Sequence, residues 1–312
     1  MSQSDRAAGA LLGLACGDAL GRPVEFQSPQ RIADDYATLR EMVGHGTHRQ
    51  PAGTVTDDTD LALCVARSLV ETGRFDPDHL GERFVAWLES GPFDVGLTTS
   101  DAINEIRDGT PPLEAGEVAW ERLSEGGNAG NGSVMRCAPH ALAFEAGGRL
   151  DRVSRASSAI THFDPRCQAG CAVLNRTIRG YLDDEADPLA RALETTEMPG
   201  ELRDALDPLP DESEEEVVLG NTGYVVSTLQ TTLHDALRAE TAESAIVTAV
   251  NRGGDTDTLG AVTGAIAGAR FGASDLPDRW VDTLQTADGD PLAADLRELA
   301  TELLEGTFDS AV

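Results

Sequence analysis

The 312-residue chain carries 54 acidic residues against 24 basic ones, all of them Arg, and its formal net charge is −30. A surface this acidic repels nucleic acid and anionic membranes. We therefore do not expect the protein to bind either directly. No stretch reaches the ~20 apolar residues of a membrane helix. The apolar run Ala7–Cys16 lacks a net positive charge before it and is interrupted by Gly9 and Gly13, so we interpret it as part of a cytoplasmic protein rather than a signal peptide.

The acidity has two interpretations. In concentrated salt, screening removes the mutual repulsion of many carboxylates, so an excess of Asp and Glu without Lys is typical of a protein from a high-salt environment. The alternative is an acidic surface that serves one particular function. Either way, the charge indicates where the protein works rather than what it does.

The cysteines do not form a recognisable framework. Their number is odd and no CxxC or Cys/His cluster accompanies them, which argues against disulfides and a zinc site. We therefore expect buried free thiols at all five positions, which are Cys16, Cys64, Cys137, Cys167 and Cys171.

Helical periodicity dominates the chain and alternating strand patterns are scarce, which predicts an all-α fold. Apolar residues recur at helical spacing in 61–70, 80–88, 166–181, 225–237, 244–250 and 292–304. The acidic, Pro-containing segment Asp183–Glu216 is either a linker or a solvated excursion within one domain. Because candidate site residues lie on both sides of it, we favour one compact helical domain over residues 1–312.

Glycine recurs every fourth residue in two places. Each site costs up to ~1 kcal/mol relative to Ala inside a helix, so four on one face indicate close backbone packing between helices. Loops are the alternative. If the two helices pack antiparallel, Glu25 projects towards Asp257 from just beyond the first one. The two runs are Gly9, Gly13, Gly17 and Gly21, and Gly260, Gly264, Gly268 and Gly272.

Two Asp/Thr clusters each open an apolar helical run. Thr56-Asp57-Asp58-Thr59-Asp60 holds more oxygen ligands than a helix cap requires, and such oxygens suit hard divalent cations. By itself this cluster is equally compatible with capping. In the second cluster, Gly253 and Gly254 precede Asp255, Asp257 and Thr258. Two such clusters together favour a binuclear site with metals ~3.5–4 Å apart.

The stretch Gly126–Arg136 is rich in glycine and exposes backbone N–H groups, as phosphate-binding loops do. It lacks the Gly-Lys-Ser/Thr of a P-loop, so a flexible connector is the alternative. His162, in Ile160–Pro165, either contacts a sugar hydroxyl or caps the next helix. Glu25 and Asp94 each stand near glycines, where a lone carboxylate is usually just solvated.

Taken together, the chain resembles the ADP-ribosyl-glycohydrolase family. The matching stretches occur in family order and span nearly the whole chain, and the paired Thr-Asp-Asp and Gly-Gly-Asp-Thr-Asp-Thr motifs are specific in combination. These stretches are 9–26, 53–60, 94–99, 130–139, 161–165, 223–229 and 251–264.

The resemblance implies a metal-dependent hydrolase that cleaves the glycosidic bond between ADP-ribose and a modified protein side chain or small conjugate. It implies a central site for two Mg²⁺ or Mn²⁺ ions, with Glu25 and Asp94 as acid/base candidates and His162 near the ribose. The implied metal ligands are Thr56, Asp57, Asp58, Asp255, Asp257 and Thr258. The implied diphosphate loop consists of Gly130, Asn131, Gly132, Ser133, Val134 and Met135.

Two other functions remain open from the residues. A two-metal phosphoester hydrolase needs the same carboxylates, and a non-catalytic ADP-ribose binder needs the same cleft. The presence of all six ligand positions argues against the second. Many relatives carry Asn where this chain has Leu97, which places the leaving-group side of the pocket in question.

Overall fold

The computed structural model describes residues 1–123, 129–211 and 219–310. Within these residues it is almost entirely helical, so the all-α prediction is confirmed. Every segment predicted from periodicity lies in a helix, except that Leu292 is the capping residue just before the last one. The α-helices are α1 (Gln3–Gly21), α2 (Pro29–Tyr36), α3 (Asp57–Thr72), α4 (Pro77–Glu89), α5 (Leu97–Arg107), α6 (Pro112–Glu121), α7 (Pro139–Ala143), α8 (Gly148–Ala159), α9 (Pro165–Leu182), α10 (Pro188–Thr195), α11 (Gly200–Leu206), α12 (Val225–Arg238), α13 (Ala242–Val250), α14 (Thr256–Phe271), α15 (Asp278–Val281) and α16 (Ala293–Glu305).

Short elements complete the described chain. Three 3₁₀ helices span Arg22–Val24, Val134–Arg136 and Ala273–Asp275. Two strands of two residues, β1 (Arg74–Phe75) and β2 (Asp309–Ser310), pair in parallel. No helix in the described residues is long and apolar enough to cross a membrane.

Helices α1 and α14 pack antiparallel through the two runs of glycine, as predicted. A Cβ at Gly13 would overlap the carbonyl oxygen of Gly264, and one at Gly17 would overlap that of Gly260. Missing side chains therefore let two backbones touch, which offsets the helix-propensity cost of glycine. We call this contact the glycine seam. Its paired residues are Gly9 with Gly268, Gly13 with Gly264, Gly17 with Gly260, and Gly21 with Thr256.

Gly272 does not continue the seam as a helical residue. Helix α14 ends at Phe271, and Gly272 follows with a φ of 82°, a backbone angle that glycine tolerates best. A Cβ there would overlap the Asp5 carboxylate. The fourth glycine of this run therefore ends the helix, although it keeps the register of the seam.

Around the seam, other helices bury their apolar faces. Helices α9, α12 and α13 pack against α14, and α16 packs against α1. Their buried side chains form one continuous core, built mainly from Ala, Leu, Val and Ile because aromatic residues make up only 4% of the chain.

The acidic segment 183–216 contains two helices, α10 and α11, where it is described. Leu189 and Leu193 of α10 and Leu202 and Leu206 of α11 are buried, so this segment packs onto the core rather than running freely between domains. Its residues 212–216 lie outside the described part of the chain, as do residues 126–128 of the glycine-rich stretch. All five cysteines are free thiols, and four of them are buried while Cys64 is partly buried.

Three helix ends meet at one end of the seam. Helix α1 ends at Gly21, whose carbonyl oxygen accepts a 2.8 Å hydrogen bond from the Thr256 hydroxyl at the start of α14. Helix α3 begins nearby at Asp57, and Thr258 of α14 reaches Asp58. The seam thereby fixes the position of both Asp/Thr clusters.

Candidate active site

A cavity of about 690 Å³ opens where these helix ends meet. It is lined by residues from both Asp/Thr clusters, from the glycine-rich loop and from the start of α5. Predicted site residues on its wall are Glu25, Asp57, Asp58, Asp94, Gly130, Asn131, Gly132, Met135, His162, Asp255, Asp257 and Thr258. The sequence clusters, up to 200 residues apart, therefore come together in one place.

The two Asp/Thr clusters are in direct contact. One carboxylate oxygen of Asp58, Oδ2, accepts hydrogen bonds from the hydroxyls of Thr56 at 3.3 Å and Thr258 at 3.4 Å. Asp255 precedes α14 but its side chain does not cap the helix, and Oδ2 instead accepts a 2.6 Å bond from Asn131. Carboxylate oxygens of Glu25, Asp255 and Asp257 all lie within 4.8 Å of one another.

Burial raises the pKa of each carboxyl in this group above its usual range, and neighbouring carboxylates raise it further for all of them except Asp94. The group, which we call the carboxylate cluster, consists of Glu25, Asp57, Asp58, Asp94, Asp255 and Asp257. Its six carboxyls outnumber the two basic side chains that interact with them, His48 and Arg22, so the site is strongly acidic.

The other oxygen of Asp58, Oδ1, is buried and has no hydrogen-bond partner among the described residues. An unpaired buried carboxylate oxygen is costly, and a cation is the usual compensation. The donors are all hard oxygens from carboxylates and hydroxyls, which suits Mg²⁺ or Mn²⁺. The residues present therefore fit divalent cations. Of the six expected ligands, Asp57, Asp58, Asp255, Asp257 and Thr258 line the cavity, whereas Thr56 contacts it through its hydrogen bond to Asp58.

Asp18 supports the first cluster and was not predicted. It lies fully buried in α1 and accepts 3.0 Å bonds from the backbone N–H of Thr56 and a 2.5 Å bond from the hydroxyl of Thr59. Burial raises the pKa of Asp18 to about 7, against the lowering effect of these donors. The one signal in the sequence was a lone Asp within an apolar, glycine-spaced run.

Glu25 and Asp94 both lie beside one histidine that sequence reasoning also missed. His48 Nε2 bonds to Glu25 Oε2 and stands 3.7 Å from Asp94 Oδ2. The bond to Glu25 raises the pKa of His48, since it favours the charged imidazole. Both acid/base candidates are thus near the cation ligands, and they share one partner.

The glycine-rich loop lines the cavity only in part. Gly130, Asn131, Gly132 and Met135 lie on its wall, whereas Ser133 and Val134 do not. The 3₁₀ turn that begins at Val134 directs both side chains into the interior, where the Ser133 hydroxyl accepts a 2.9 Å bond from Ser158.

His162 lies against this loop, since a Cβ at Gly132 would be 2.8 Å from its Cε1. Complete burial lowers the pKa of His162 to about 3, so its ring is neutral. Its Nδ1 is paired with the Thr161 hydroxyl at 2.8 Å, which leaves Nε2 towards Gly130 and the cavity. A neutral imidazole at this position is suited to hydrogen bonding rather than to ion pairing.

Two large apolar side chains stand exposed at the cavity. Leu97 begins α5 and is 83% exposed, and Phe26, next to Glu25, is 73% exposed. Phe26 has a φ of 63°, and its N–H donates a 2.7 Å bond to the carbonyl of Gly254. The loop before Asp255 and the turn after Glu25 are thereby joined.

Comparison with known proteins agrees with this geometry. The model of the family described as ADP-ribosylglycohydrolase matches residues 1–311. The chain is 37% identical to the ADP-ribosyl-[dinitrogen reductase] glycohydrolase of Rhodospirillum rubrum, over 91% of each protein. It is 32% identical to the ADP-ribosylarginine hydrolase Tri1 of Serratia proteamaculans, over 90% of this chain and 75% of that one.

A more distant relative and a solved structure extend the likeness. The ADP-ribosylhydrolase ARH3 of Gallus gallus is 25% identical over 95% of this chain and 94% of its own length. The solved structure, named ADP-ribosylglycohydrolase-related protein complex, superimposes with a TM-score of 0.81 at 33% identity. That superposition covers 97% of this chain and 98% of the other.

Proposed function

The chain belongs to the ADP-ribosylglycohydrolase family of glycosyl-bond hydrolases, and from this premise we propose that it releases ADP-ribose from a modified protein side chain or a small ADP-ribosyl conjugate in a cation-dependent reaction. The observation that carries the proposal is the shared cavity, which is lined both by the carboxylate cluster and by Gly130 and Gly132 of the glycine-rich loop. These two parts of the cavity suit the two parts of ADP-ribose: cations held by oxygen ligands can orient the ribose hydroxyls, and backbone N–H groups can bind the diphosphate.

Two divalent cations, Mg²⁺ or Mn²⁺, would be held by Thr56, Asp57, Asp58, Asp255, Asp257 and Thr258. When bound, they would orient the vicinal ribose hydroxyls and polarise a water molecule. The same cations would neutralise carboxylates whose burial otherwise raises their pKa.

The remaining steps rest on residues of the chain itself. Backbone N–H groups around Gly130 and Gly132 would receive the diphosphate, and the neutral ring of His162 would hydrogen-bond the ribose. As the bond from the ribose C1″ breaks, positive charge develops on the sugar ring, which the surrounding carboxylates favour. The carboxyl of either Glu25 or Asp94 transfers the proton between water and the leaving group.

The test uses the purified protein with Mg²⁺ or Mn²⁺ and three kinds of substrate, in which ADP-ribose is linked to arginine, to serine or through an O-acetyl ester. We expect free ADP-ribose as the product from at least one of them. Release of AMP or inorganic phosphate would instead indicate a phosphoester hydrolase. Tight binding of ADP-ribose without turnover of any substrate would indicate a non-catalytic member of the family.

Matched variants test the cation ligands. Asp257→Ala and Asp57→Ala should each lose at least one of about two bound ions and lower activity by about 10²-fold or more, because the cations polarise the water. Asp101→Ala removes an exposed carboxylate from α5 and should change neither. Active wild-type protein without any metal by elemental analysis would overturn the cation dependence.

A further inference from the structure

A buried arginine, Arg22, holds the loop 45–50, which carries His48, through hydrogen bonds. Arg22 follows α1 directly and has no exposed surface. Its guanidinium donates to the backbone carbonyls of Thr54 and Pro51 at 2.9 Å and of His45 at 3.2 Å. A planar guanidinium can reach several carbonyls at once, so it fixes the course of the loop.

The same loop is bound to the turn that carries Glu25. The N–H of Thr47 donates to the carbonyl of Pro23 at 3.1 Å, and its hydroxyl donates to the carbonyl of Glu25 at 2.7 Å. Gly46, with a φ of 62°, lies so close to Pro23 that a Cβ would overlap it. The backbones of Glu25 and of the loop are therefore held as one unit.

The His48 ring is packed in one place. Its Nε2 bonds to Glu25 Oε2 and lies 3.7 Å from Asp94 Oδ2, and its ring is tilted against Phe93 with ring centroids 5.4 Å apart. Within the described part of the chain, Glu25 and Asp94 line the cavity and His48 does not. His48 therefore contacts the two carboxylates without forming part of the cavity wall.

We propose that His48 is a positioning residue that holds the Glu25 and Asp94 carboxylates beside each other at the cavity wall, and that the Arg22 clamp keeps it there. This inference rests on the proposed function, in which one of these carboxyls transfers the proton. Two ionised carboxylates repel each other. The His48 ring bonds to Glu25 through Nε2 and stands within ion-pair distance of Asp94, so both carboxylates share it as a partner, and its loss lets the side chains separate.

The test compares three variants at saturating cation. His48→Ala removes the shared donor, and His48→Gln keeps an N–H donor on a side chain of another shape. His45→Asn is the matched control, because His45 is an exposed histidine of the same loop with a φ of 68°, which Asn tolerates. For each we measure kcat, KM, ADP-ribose affinity, bound metal and Tm.

We expect His48→Ala to lower kcat by about 10²-fold, the loss typical of a misplaced reacting group. KM and the Kd of ADP-ribose should stay within about twofold of wild type, since the effect is confined to the reacting step. Bound metal should be unchanged, His48→Gln should recover part of kcat, and His45→Asn should behave as wild type.

Three results would overturn the proposal. Unchanged kcat in His48→Ala means that the carboxylates need no partner. Loss of a bound ion in that variant makes His48 a cation ligand instead. An equal loss in His45→Asn assigns the effect to the loop as a whole.

If His48→Ala does not fold, His48→Gln must still show a kcat below wild type with KM and bound metal retained; wild-type kcat in it overturns the proposal. Failure of the wild-type protein to hydrolyse any conjugate counts against the proposed function itself, and so is distinguishable from failure at His48.

Discussion

The glycine seam ends beside the carboxylate cluster, yet different interactions hold the two regions together. Along the seam, backbone touches backbone and the neighbouring side chains are apolar. At its end, six carboxyls are crowded together, and burial raises the pKa of each. The comparison indicates that the rigid backbone contact of the glycine seam holds the carboxylates of the cluster close together, although their charges repel one another.

The largest expected effect comes from forcing the seam open. Gly13→Val or Gly264→Val should lower the free energy of unfolding by about 3 kcal/mol or more, because neither backbone can move aside. The same change should weaken cation binding, since Gly21 and Thr256 are separated as well. Gly200→Val is the control, with no atom within 4 Å of the new Cβ. Denaturant unfolding measures the change in stability, and titration calorimetry measures cation affinity. Normal cation affinity in a destabilised seam variant would show that the carboxylate cluster does not depend on the glycine seam.

A smaller effect should come from the charges of the cluster. A carboxyl whose pKa is raised in the folded state favours folding at low pH, and this contribution is lost as pH rises through the folded pKa, which for Asp18 is about 7. In chelator, the free energy of unfolding should therefore fall between about pH 4 and 7, by at most about 1.4 kcal/mol per pH unit for Asp18, which supports the cluster from α1.

Cations distinguish the cluster from the surface in this experiment. Added Mg²⁺ or Mn²⁺ should flatten the pH dependence, because the ions compensate the ionised carboxylates. Urea unfolding in molar salt, which screens the surface charges, gives the measurement. If the free energy of unfolding in chelator does not depend on pH, the pKa values of these carboxyls are the same in the folded and unfolded states, and the prediction is wrong.

Ligand binding should raise the free energy of unfolding by no more than the pH effect lowers it. If the loop 130–135 receives the diphosphate, ADP-ribose at a hundred times its Kd should add about 2.7 kcal/mol by mass action. Ribose alone should raise Tm far less, because it does not reach the backbone amides. Equal shifts from both ligands in a thermal melt would contradict the assignment of the loop.

The smallest expected effect per group concerns the surface, which contributes to neither region. With a net charge of −30 and no Lys, the protein should melt at a lower temperature in dilute buffer than in molar NaCl. KCl should have the same effect at equal ionic strength if screening is the cause. A Tm that does not respond to salt would argue against adaptation to a high-salt environment.

Local signals made the seam and half of the site predictable. A four-residue glycine period describes a helix face directly, and an Asp/Thr cluster before an apolar run marks a helix start, so Asp57 and Asp257 were found. Asp18, Arg22 and His48 act on residues 23 to 46 positions away, and no short pattern records such a contact. The burial of the Ser133 and Val134 side chains was not predictable either, because a 3₁₀ turn changes side-chain direction within the glycine-rich loop.

The pairing of α1 with α14 also has a consequence for how the chain is made. About 235 residues separate Gly21 from Thr256, so the first helix leaves the ribosome long before its partner exists. At roughly 5–20 residues per second, that interval is on the order of 10–50 s. During it, the surface of α1 that packs against α14 has no permanent cover, and this contact between distant segments forms late. We therefore expect the nascent chain to depend on a holding chaperone for most of its synthesis, and the last quarter of translation to decide whether the cavity forms.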